Sequence, residues 1–145
     1  MNRFINAQNK IYSKALSEIK KGKKKTHWMW YIFPQIHGLG SSDIAIKYEL
    51  KSMSEAKEYI SNELLKNRLL EISTAIYELN GDIEEILGYP DFYKFKSCMT
   101  LFYLIAPEYP IFYKNIERYF KGKLCEHTLK IFNDEKHIKQ SWEKN

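Results

Sequence analysis

Residues 26–42 concentrate side chains that could do chemistry. The segment reads THWMWYIFPQIHGLGSS and holds two of the three tryptophans, two of the four histidines and a Gly-Leu-Gly turn. An aromatic run that leads into a proline and a glycine turn can place polar groups beside a rigid apolar wall, as a small-molecule pocket requires. We therefore expect a ligand site here, although these residues do not specify a reaction.

His27 is the candidate catalytic residue of this segment, because a neutral imidazole can give or take a proton near neutral pH. If residues 27–33 form a helix, His27 and Trp30 share one face, so that one tryptophan lines a cavity while Trp28 anchors the core. Gln35 would offer its amide group beside them. The alternative is that both tryptophans fill the core and that His27 is a buried structural histidine.

The turn that follows could bind an anion. Gly38, Gly40, Ser41 and Ser42 precede a capped helix start, where free backbone N–H groups can contact a phosphate or carboxylate. The turn lacks the lysine and the spacing of a Walker loop, and no strand precedes it, so it is neither a P-loop nor a Rossmann turn. A glycine turn that merely joins two helices is the alternative.

A second candidate cluster lies on the apolar segment 91–106. Its polar residues recur at three-residue intervals: Asp91, Lys94, Ser97 and Thr100. On a nearly buried helix these side chains need partners, which a ligand or the turn at 35–42 could supply. They could equally satisfy one another and nearby backbone groups. No hydrolase signature or metal motif accompanies them, so we expect no metal ion and no cofactor.

Helical periodicity dominates the elements that must position these residues. Apolar residues recur every three or four positions in most of the chain, and Ser42 and Ser54 are expected to begin helices. We predict an all-α fold, a compact single-domain orthogonal bundle of seven or eight mostly short helices over residues 1–132. A short helix over 126–132 should precede a polar, frayed tail at 133–145.

The positive charge is concentrated at the start of the chain. Residues 1–25 hold eight cations and one anion, whereas the whole chain has a net charge of +5. The lysine run at 20–25 would attract phosphates or other anions. Lysines in the last turn of a helix also stabilise that helix, so a solvated helix end is the alternative.

The cysteines, the hydropathy and the first residues of the chain indicate where the protein resides. Cys98 and Cys125 lie far apart without metal-ligand spacing, so we expect reduced, buried thiols. The sequence has no apolar run of about twenty residues, and its first residues do not resemble a signal peptide. We therefore expect a cytoplasmic protein without a membrane partner, and the oligomeric state stays open.

Three segments resemble a widespread bacterial family: FINAQ at 4–8, KTHWMWYIFPQ with GLG at 25–40, and GYPD with KFKSCMTLF at 88–102. The family is the domain of unknown function numbered eighteen-ten, which is often mislabelled as calpastatin. The resemblance runs from about Arg3 to Phe132 and implies a small all-helical fold without an established activity. Cys125 stands where we expect the family to have an aspartate, and Cys98 where it has a small hydroxyl residue.

These features together predict a domain that binds a small anionic or nucleotide-like ligand. A base stacked on Trp30, a phosphate at the glycine turn and His27 as acid or base would make it an enzyme that processes nucleotides or ADP-ribose. The alternative is a non-enzymatic adaptor whose basic first helix and residues 20–25 bind nucleic acid or an acidic protein. A third possibility is a regulatory or structural module without a ligand.

Overall fold

The computed structural model describes the backbone of residues 1–144 and the side chains of residues 1–139. The described residues form nine α-helices and no β-strand, which confirms the all-α prediction with one helix more than its upper count. The helices are α1 (Asn2–Lys20), α2 (Met29–Ile32), α3 (Asp43–Tyr48), α4 (Met53–Ser61), α5 (Glu63–Tyr77), α6 (Ile83–Leu87), α7 (Asp91–Ile105), α8 (Ile111–Phe120) and α9 (Glu126–Lys144).

The central helix is α7, the segment that is apolar on nearly all sides. It packs against α4, α6, α8 and α9, while α5 packs against α1, α4 and α8. Its buried residues are Phe95, Ser97, Cys98, Met99, Thr100, Leu101 and Phe102. Enclosure by other helices explains the apolar pattern of residues 95–102, most of which are buried, whereas Tyr93 in the first turn is exposed.

A buried glutamine holds α2 against the first helix. The Gln8 amide nitrogen donates to the Tyr31 carbonyl at 2.7 Å and lies 2.9 Å from the Tyr59 hydroxyl. Both Gln8 and Tyr59 are buried, so these polar groups must be satisfied within the protein. The contacts fix α2, which is only four residues long and could not persist alone.

Three consecutive helices begin at side-chain caps. Ser42, Ser52 and Asn62 accept hydrogen bonds from the backbone N–H groups three residues ahead, at the starts of α3, α4 and α5. The sequence pattern placed the start of α4 at Ser54, which is wrong by two residues. Ser52 is the residue with extended backbone angles whose hydroxyl accepts from the Glu55 N–H at 3.1 Å.

The last helix is much longer than its sequence suggests. The prediction that it ends at Phe132 is wrong, since α9 continues to Lys144, and only Asn145 lies outside the described residues. The second half is polar, but it contains no glycine or proline to end the helix. The Glu135 carboxylate also accepts from the Met53 N–H at 3.0 Å, which ties α9 to the start of α4.

Both cysteines are free thiols, as expected, although only Cys98 is fully buried while Cys125 is half-buried. Burial raises the pKa of the Cys98 thiol well above its ordinary value. Among the residues that the structure describes, no helix combines the length and apolar character needed to cross a bilayer.

Replacement of Ser52 by alanine should lower the free energy of unfolding by about 1 kcal/mol, because α4 loses the side chain that caps its first turn. Urea unfolding followed by circular dichroism measures this change. Ser54→Ala is the matched control, since Ser54 is exposed within the same helix, and we expect it to be nearly neutral. If Ser54→Ala cost more than Ser52→Ala, the cap would be wrongly assigned.

Candidate functional site

A buried carboxylate organises the chain just before α2. Glu18, in the last turn of α1, accepts from the backbone N–H groups of Lys25 and Thr26 at 2.7 and 3.0 Å. It also accepts from the Thr26 hydroxyl at 2.6 Å and from the Trp28 indole N–H at 2.9 Å. Four donors on one carboxylate fold residues 25–28 around the end of α1.

The ionised form of Glu18 is strongly favoured. Burial alone would raise the pKa of its carboxyl group, but hydrogen bonds from Thr26, Lys25 and Trp28 outweigh this effect and lower the pKa from 4.5 to about 2. Sequence reasoning missed the role of Glu18. The available signal was its position as the single acid among the first 25 residues, three residues after the buried Ala15 on the inward face of α1.

The Glu18 carboxylate and the residues that turn around it, 25–28, are called the Glu18 clamp below. A cleft lies beside this clamp. It has a volume of about 250 Å³ and is lined by Lys24, His27, Trp28, Met29, Trp30, Tyr31, Ile44, Asp91 and Lys94. Four residues predicted from the sequence therefore meet there: His27, Trp30, Asp91 and Lys94. The two candidate segments, which are far apart along the chain, form one site because the turn of residues 25–28 around Glu18 directs Lys24 and Trp30 toward the start of α7.

Asp91 joins two lysines at the base of this cleft. Its carboxylate oxygens lie 2.8 Å from Lys24 Nζ and 3.0 Å from Lys94 Nζ. The Lys24 side chain is only 8% exposed, so its ammonium group depends on this partner. Two cations and one anion leave the cluster with a net charge of +1, in surroundings where a charge is poorly screened. The cluster therefore favours an incoming anion.

Both ammonium groups also face tryptophan rings. Lys24 Nζ lies 5.2 Å from the centre of the Trp28 ring, and Lys94 Nζ lies 4.6 Å from that of Trp30. These distances are in the range of cation–π attraction. Trp28 is buried in the core, whereas Trp30 is half-exposed in the cleft, so one tryptophan anchors the site and the other forms its wall.

Gly40 supports the back of the Trp30 ring. A Cβ atom at this glycine would lie 2.8 Å from Trp30 Cη2 and 2.7 Å from Ala45 Cβ, both too close for van der Waals contact. The glycine is therefore required by the close approach of the indole to the backbone. Its contribution to the site is to set the position of Trp30.

His27 lies at the rim of the cleft and is exposed, which excludes the buried structural role considered from the sequence. The predicted helix over 27–33 is shorter in the structure, where α2 begins at Met29 and Trp28 has non-helical backbone angles. The reason is the Glu18 carboxylate, which takes up the N–H groups of Lys25 and Thr26 before the chain turns into α2.

Comparison with known sequences decides the family. The model of the family described as "Protein of unknown function (DUF1810)" matches residues 1–132. This chain belongs to the DUF1810 family. No curated protein matches the sequence.

A solved structure supports the fold. The chain is similar to the conserved hypothetical protein Rv1873 from Mycobacterium tuberculosis, with 38% sequence identity and a TM-score of 0.87. The match covers 89% of this chain and 93% of the mycobacterial chain. The two chains therefore share one fold, and neither the family description nor the name of the mycobacterial protein assigns an activity.

Several predicted residues of this DUF1810 chain lie outside the cleft. Gln35 is buried, and its backbone carbonyl accepts from the Leu50 N–H at 2.8 Å, whereas its side-chain Nε2 has no hydrogen-bond partner among the described residues. Gly38 has a left-handed φ of +91° and packs against His127, with its N–H donating to Glu49 at 3.2 Å. Ser41 is exposed beside this turn. The predicted anion site at the turn receives little support, because α3 has only six residues and Ser42 Oγ already accepts from the Ala45 N–H, one of the free N–H groups at its start.

Ser97 and Thr100 are also buried away from the cleft, against the start of α9. Ser97 Oγ donates to the Tyr93 carbonyl and lies 3.2 Å from Cys125 Sγ. Thr100 Oγ1 donates to the Lys96 carbonyl and accepts from the Cys125 N–H. The shared face predicted with Asp91 was wrong because nine residues turn an α-helix through about 180° relative to its start.

Replacement of Glu18 by glutamine should reduce the loss of unfolding free energy that occurs as the pH falls from 4.5 toward 2. The folded-state pKa of about 2 lies below the ordinary 4.5, so the contribution of Glu18 is complete above pH 4.5 and is lost as the pH falls toward 2. The shift corresponds to roughly 3 kcal/mol of unfolding free energy. Urea unfolding at several pH values between 7 and 2 measures it.

The matched control for this experiment is Glu58→Gln, because Glu58 is exposed on α4. The control should keep the acid-dependent loss of the parent protein. If Glu18→Gln lost as much unfolding free energy in acid as the parent protein does, the ionised Glu18 carboxylate would not stabilise the fold as we describe.

Replacement of Gly40 by alanine should displace the Trp30 indole and cost about 1–3 kcal/mol, because the new methyl group overlaps the ring and Ala45. Tryptophan fluorescence reports the displacement, and urea unfolding reports the loss of stability. Gly81→Ala is the matched control, since its Cβ would lie at an ordinary 3.9 Å from Ile86. Equal stability and equal spectra for the two variants would show that Gly40 does not support the ring.

Proposed function

We propose that the cleft binds a small anionic, nucleotide-like ligand, with the anionic group beside Lys24 and Lys94. One observation carries this proposal: two ammonium groups share a single carboxylate next to a half-exposed indole and an exposed imidazole. Each ammonium group has three N–H donors, so contact with Asp91 leaves others for a ligand. The start of α7, at Asp91, adds the positive end of a helix dipole.

This assignment moves the anionic group of the ligand away from the glycine turn, where the sequence pattern had placed it. The turn leads into a helix of only six residues, and the Ala45 N–H in its first turn already donates to Ser42 Oγ. The lysine pair instead offers full charges, and a charge-assisted contact is about twice as strong as a neutral hydrogen bond. The lysine cluster is therefore the better supported position for a phosphate or carboxylate.

The size of the cleft limits what it can enclose. Its volume of about 250 Å³ is slightly below the usual range for pockets that surround a whole drug-sized ligand. It suits one part of a nucleotide, with the remainder extending over the rim past His27. Trp30 can offer a ring face to a base, although Lys94 already lies over the ring.

Processing of the ligand is the finer part of the proposal. His27 is exposed at the rim, where its imidazole can donate a proton to a bound group or accept one from it. Asp91 is the nearby carboxylate, but its two lysine partners suit it better to holding the cluster than to proton transfer. We therefore assign His27 the catalytic role if a reaction occurs.

The adaptor hypothesis receives less support from the first helix. Lys20 lines a groove on the other side of α1 together with Glu71 and Glu78, so the acids of α5 offset its charge. Lys24, in the middle of the lysine run, faces Asp91 in the cleft. The aromatic and cationic groups of α1 that meet are already paired within the protein: Arg3 contacts Phe4 and Glu55, and Tyr12 contacts Arg68 and Glu71.

Charge changes at the cluster should alter ligand affinity in opposite directions. Lys94→Gln removes one cation and should weaken binding of adenosine 5′-monophosphate by about 10-fold. Asp91→Asn raises the net charge of the cluster from +1 to +2 and should strengthen binding by roughly 3- to 10-fold. Isothermal titration calorimetry measures both affinities, with inorganic phosphate and adenosine titrated separately to resolve the contributions of the anion and the ring.

Lys57→Gln is the control for charge, because Lys57 is exposed on α4 and lies outside the cleft. It should bind like the parent protein. No binding of either nucleotide or phosphate, or equal effects of Lys94→Gln and Lys57→Gln, would overturn the proposed function.

A further inference from the structure

We propose that the nucleotide held in the cleft is part of a single-stranded nucleic acid, whose neighbouring residues cross an adjoining surface of lysines and tyrosines. The inference rests on the proposed function for the nucleotide in the cleft and extends it to the surface outside. That surface consists of the lysine loop, residues 21–25, and the aromatic trio Tyr89, Phe92 and Tyr93. The lysine loop and the aromatic trio together indicate the class of ligand.

Two contacts place the lysine loop beside the start of α7. The Lys24 N–H donates to the Ile86 carbonyl at 2.7 Å, and Lys24 Nζ reaches Asp91 at 2.8 Å. Ile86 and Asp91 flank Tyr89 in the chain, so the loop lies next to the aromatic trio. Lys24 points inward, whereas Lys21, Lys23 and Lys25 are exposed. Three exposed cations therefore lie within three positions of Lys24, which lines the cleft.

The aromatic trio is exposed to an unusual degree. Tyr89 is 74% exposed and Tyr93 is 53% exposed, although both rings are large and partly apolar. The three rings contact one another, with centroid distances of 6.2 Å for Tyr89 and Phe92, 6.0 Å for Tyr89 and Tyr93, and 4.1 Å for Phe92 and Tyr93. Mutual packing holds the rings in place, so they form a firm platform on which a flat group can stack.

Exposed cations beside exposed aromatic rings are the combination that binds single strands. Bases in a single strand are free to stack on aromatic side chains, whereas bases in a duplex already stack on one another. Lysine is a point charge that contacts phosphates without reading bases. Arginine, the usual reader of base edges, occurs only three times in the chain. We therefore infer binding without sequence preference.

Acidic residues at the start of α6 limit how far the proposed binding surface extends. Asp82, Glu84 and Glu85 lie at the start of α6, while Lys24 contacts the other end of that helix through Ile86. A phosphate backbone is repelled from the start of α6 and attracted to the lysine loop. The strand is thus expected to pass from the aromatic trio over the cleft toward residues 21–25.

Fluorescence anisotropy with a ten-residue oligothymidylate, labelled at its 3′ end, tests the inference. The oligonucleotide should bind more tightly than adenosine 5′-monophosphate, and its affinity should fall with salt with a logarithmic slope of about −3, for one phosphate in the cleft and three at the lysine loop. Tyr89→Ala with Tyr93→Ala should weaken oligonucleotide binding about 10-fold or more. Lys23→Gln with Lys25→Gln should reduce the slope by about 1.4.

Matched controls separate this surface from other exposed groups. Lys10→Gln with Lys14→Gln removes two exposed cations from α1, and Tyr113→Ala removes an exposed tyrosine from α8. Both controls should leave oligonucleotide binding unchanged. A loss of binding with the α1 pair and not with the loop pair would overturn the inference and favour an adaptor that binds through its first helix.

The failure of this inference differs from that of the proposed function. If the mononucleotide binds and responds to Lys94→Gln but the oligonucleotide binds no more tightly, the cleft takes free nucleotides and the surface proposal is wrong. Equal competition by polyglutamate, with no effect of the tyrosine pair, would also overturn it and indicate an acidic protein partner. Loss of both ligands' binding would remove both proposals.

Discussion

The site depends on one carboxylate, that of Glu18. Without it, the N–H groups of Lys25 and Thr26 and the indole N–H of Trp28 would lack their partner, and each unsatisfied buried donor costs about 1–3 kcal/mol. The clamp turns residues 25–28 so that Trp28 enters the core and Trp30 reaches the cleft. Lys24, just before the clamp, is directed toward Asp91 by the same turn. A single buried acid therefore sets the positions of both tryptophans and of one lysine.

Much of the fold follows from local sequence rules. Periodicity and caps depend on neighbouring residues, which is why the all-α class and most of the helices are predictable. The failures are also local: Ser52 rather than Ser54 begins α4, and α9 continues beyond Phe132 because a polar sequence without glycine or proline does not end a helix. The contact of α9 with α4, from the Met53 N–H to Glu135, joins residues 82 positions apart, and no local sequence pattern reveals it.

The candidate site shows the same division. The types of His27, Trp30, Asp91 and Lys94 marked them as candidates, and the fold brings these four together. Gln35, Ser97 and Thr100 were of equally suitable types, but they are buried at other contacts. Composition identifies polar residues that need partners, and only the three-dimensional packing decides whether the partner is a ligand or a backbone group. The role of Glu18 was not predicted because its four donors meet it only in the folded chain. The role of Lys24 was not predicted because a run of lysines shows its charge but not the direction of each side chain.

Asp91 explains how two lysines can stay close together before a ligand arrives. Two ammonium groups in a poorly screened cleft repel each other, and the carboxylate between them offsets that repulsion. An entering anion need not displace Asp91, because each ammonium group retains N–H donors. The cluster is therefore organised in advance, and less ordering has to occur on binding. The same arrangement limits the ligand's charge, since the cluster has only one net positive charge to neutralise, and a more highly charged anion must find further cations outside. The exposed lysines at positions 21, 23 and 25 adjoin Lys24 in the chain, which supports the proposal that the cleft and the lysine loop form one surface.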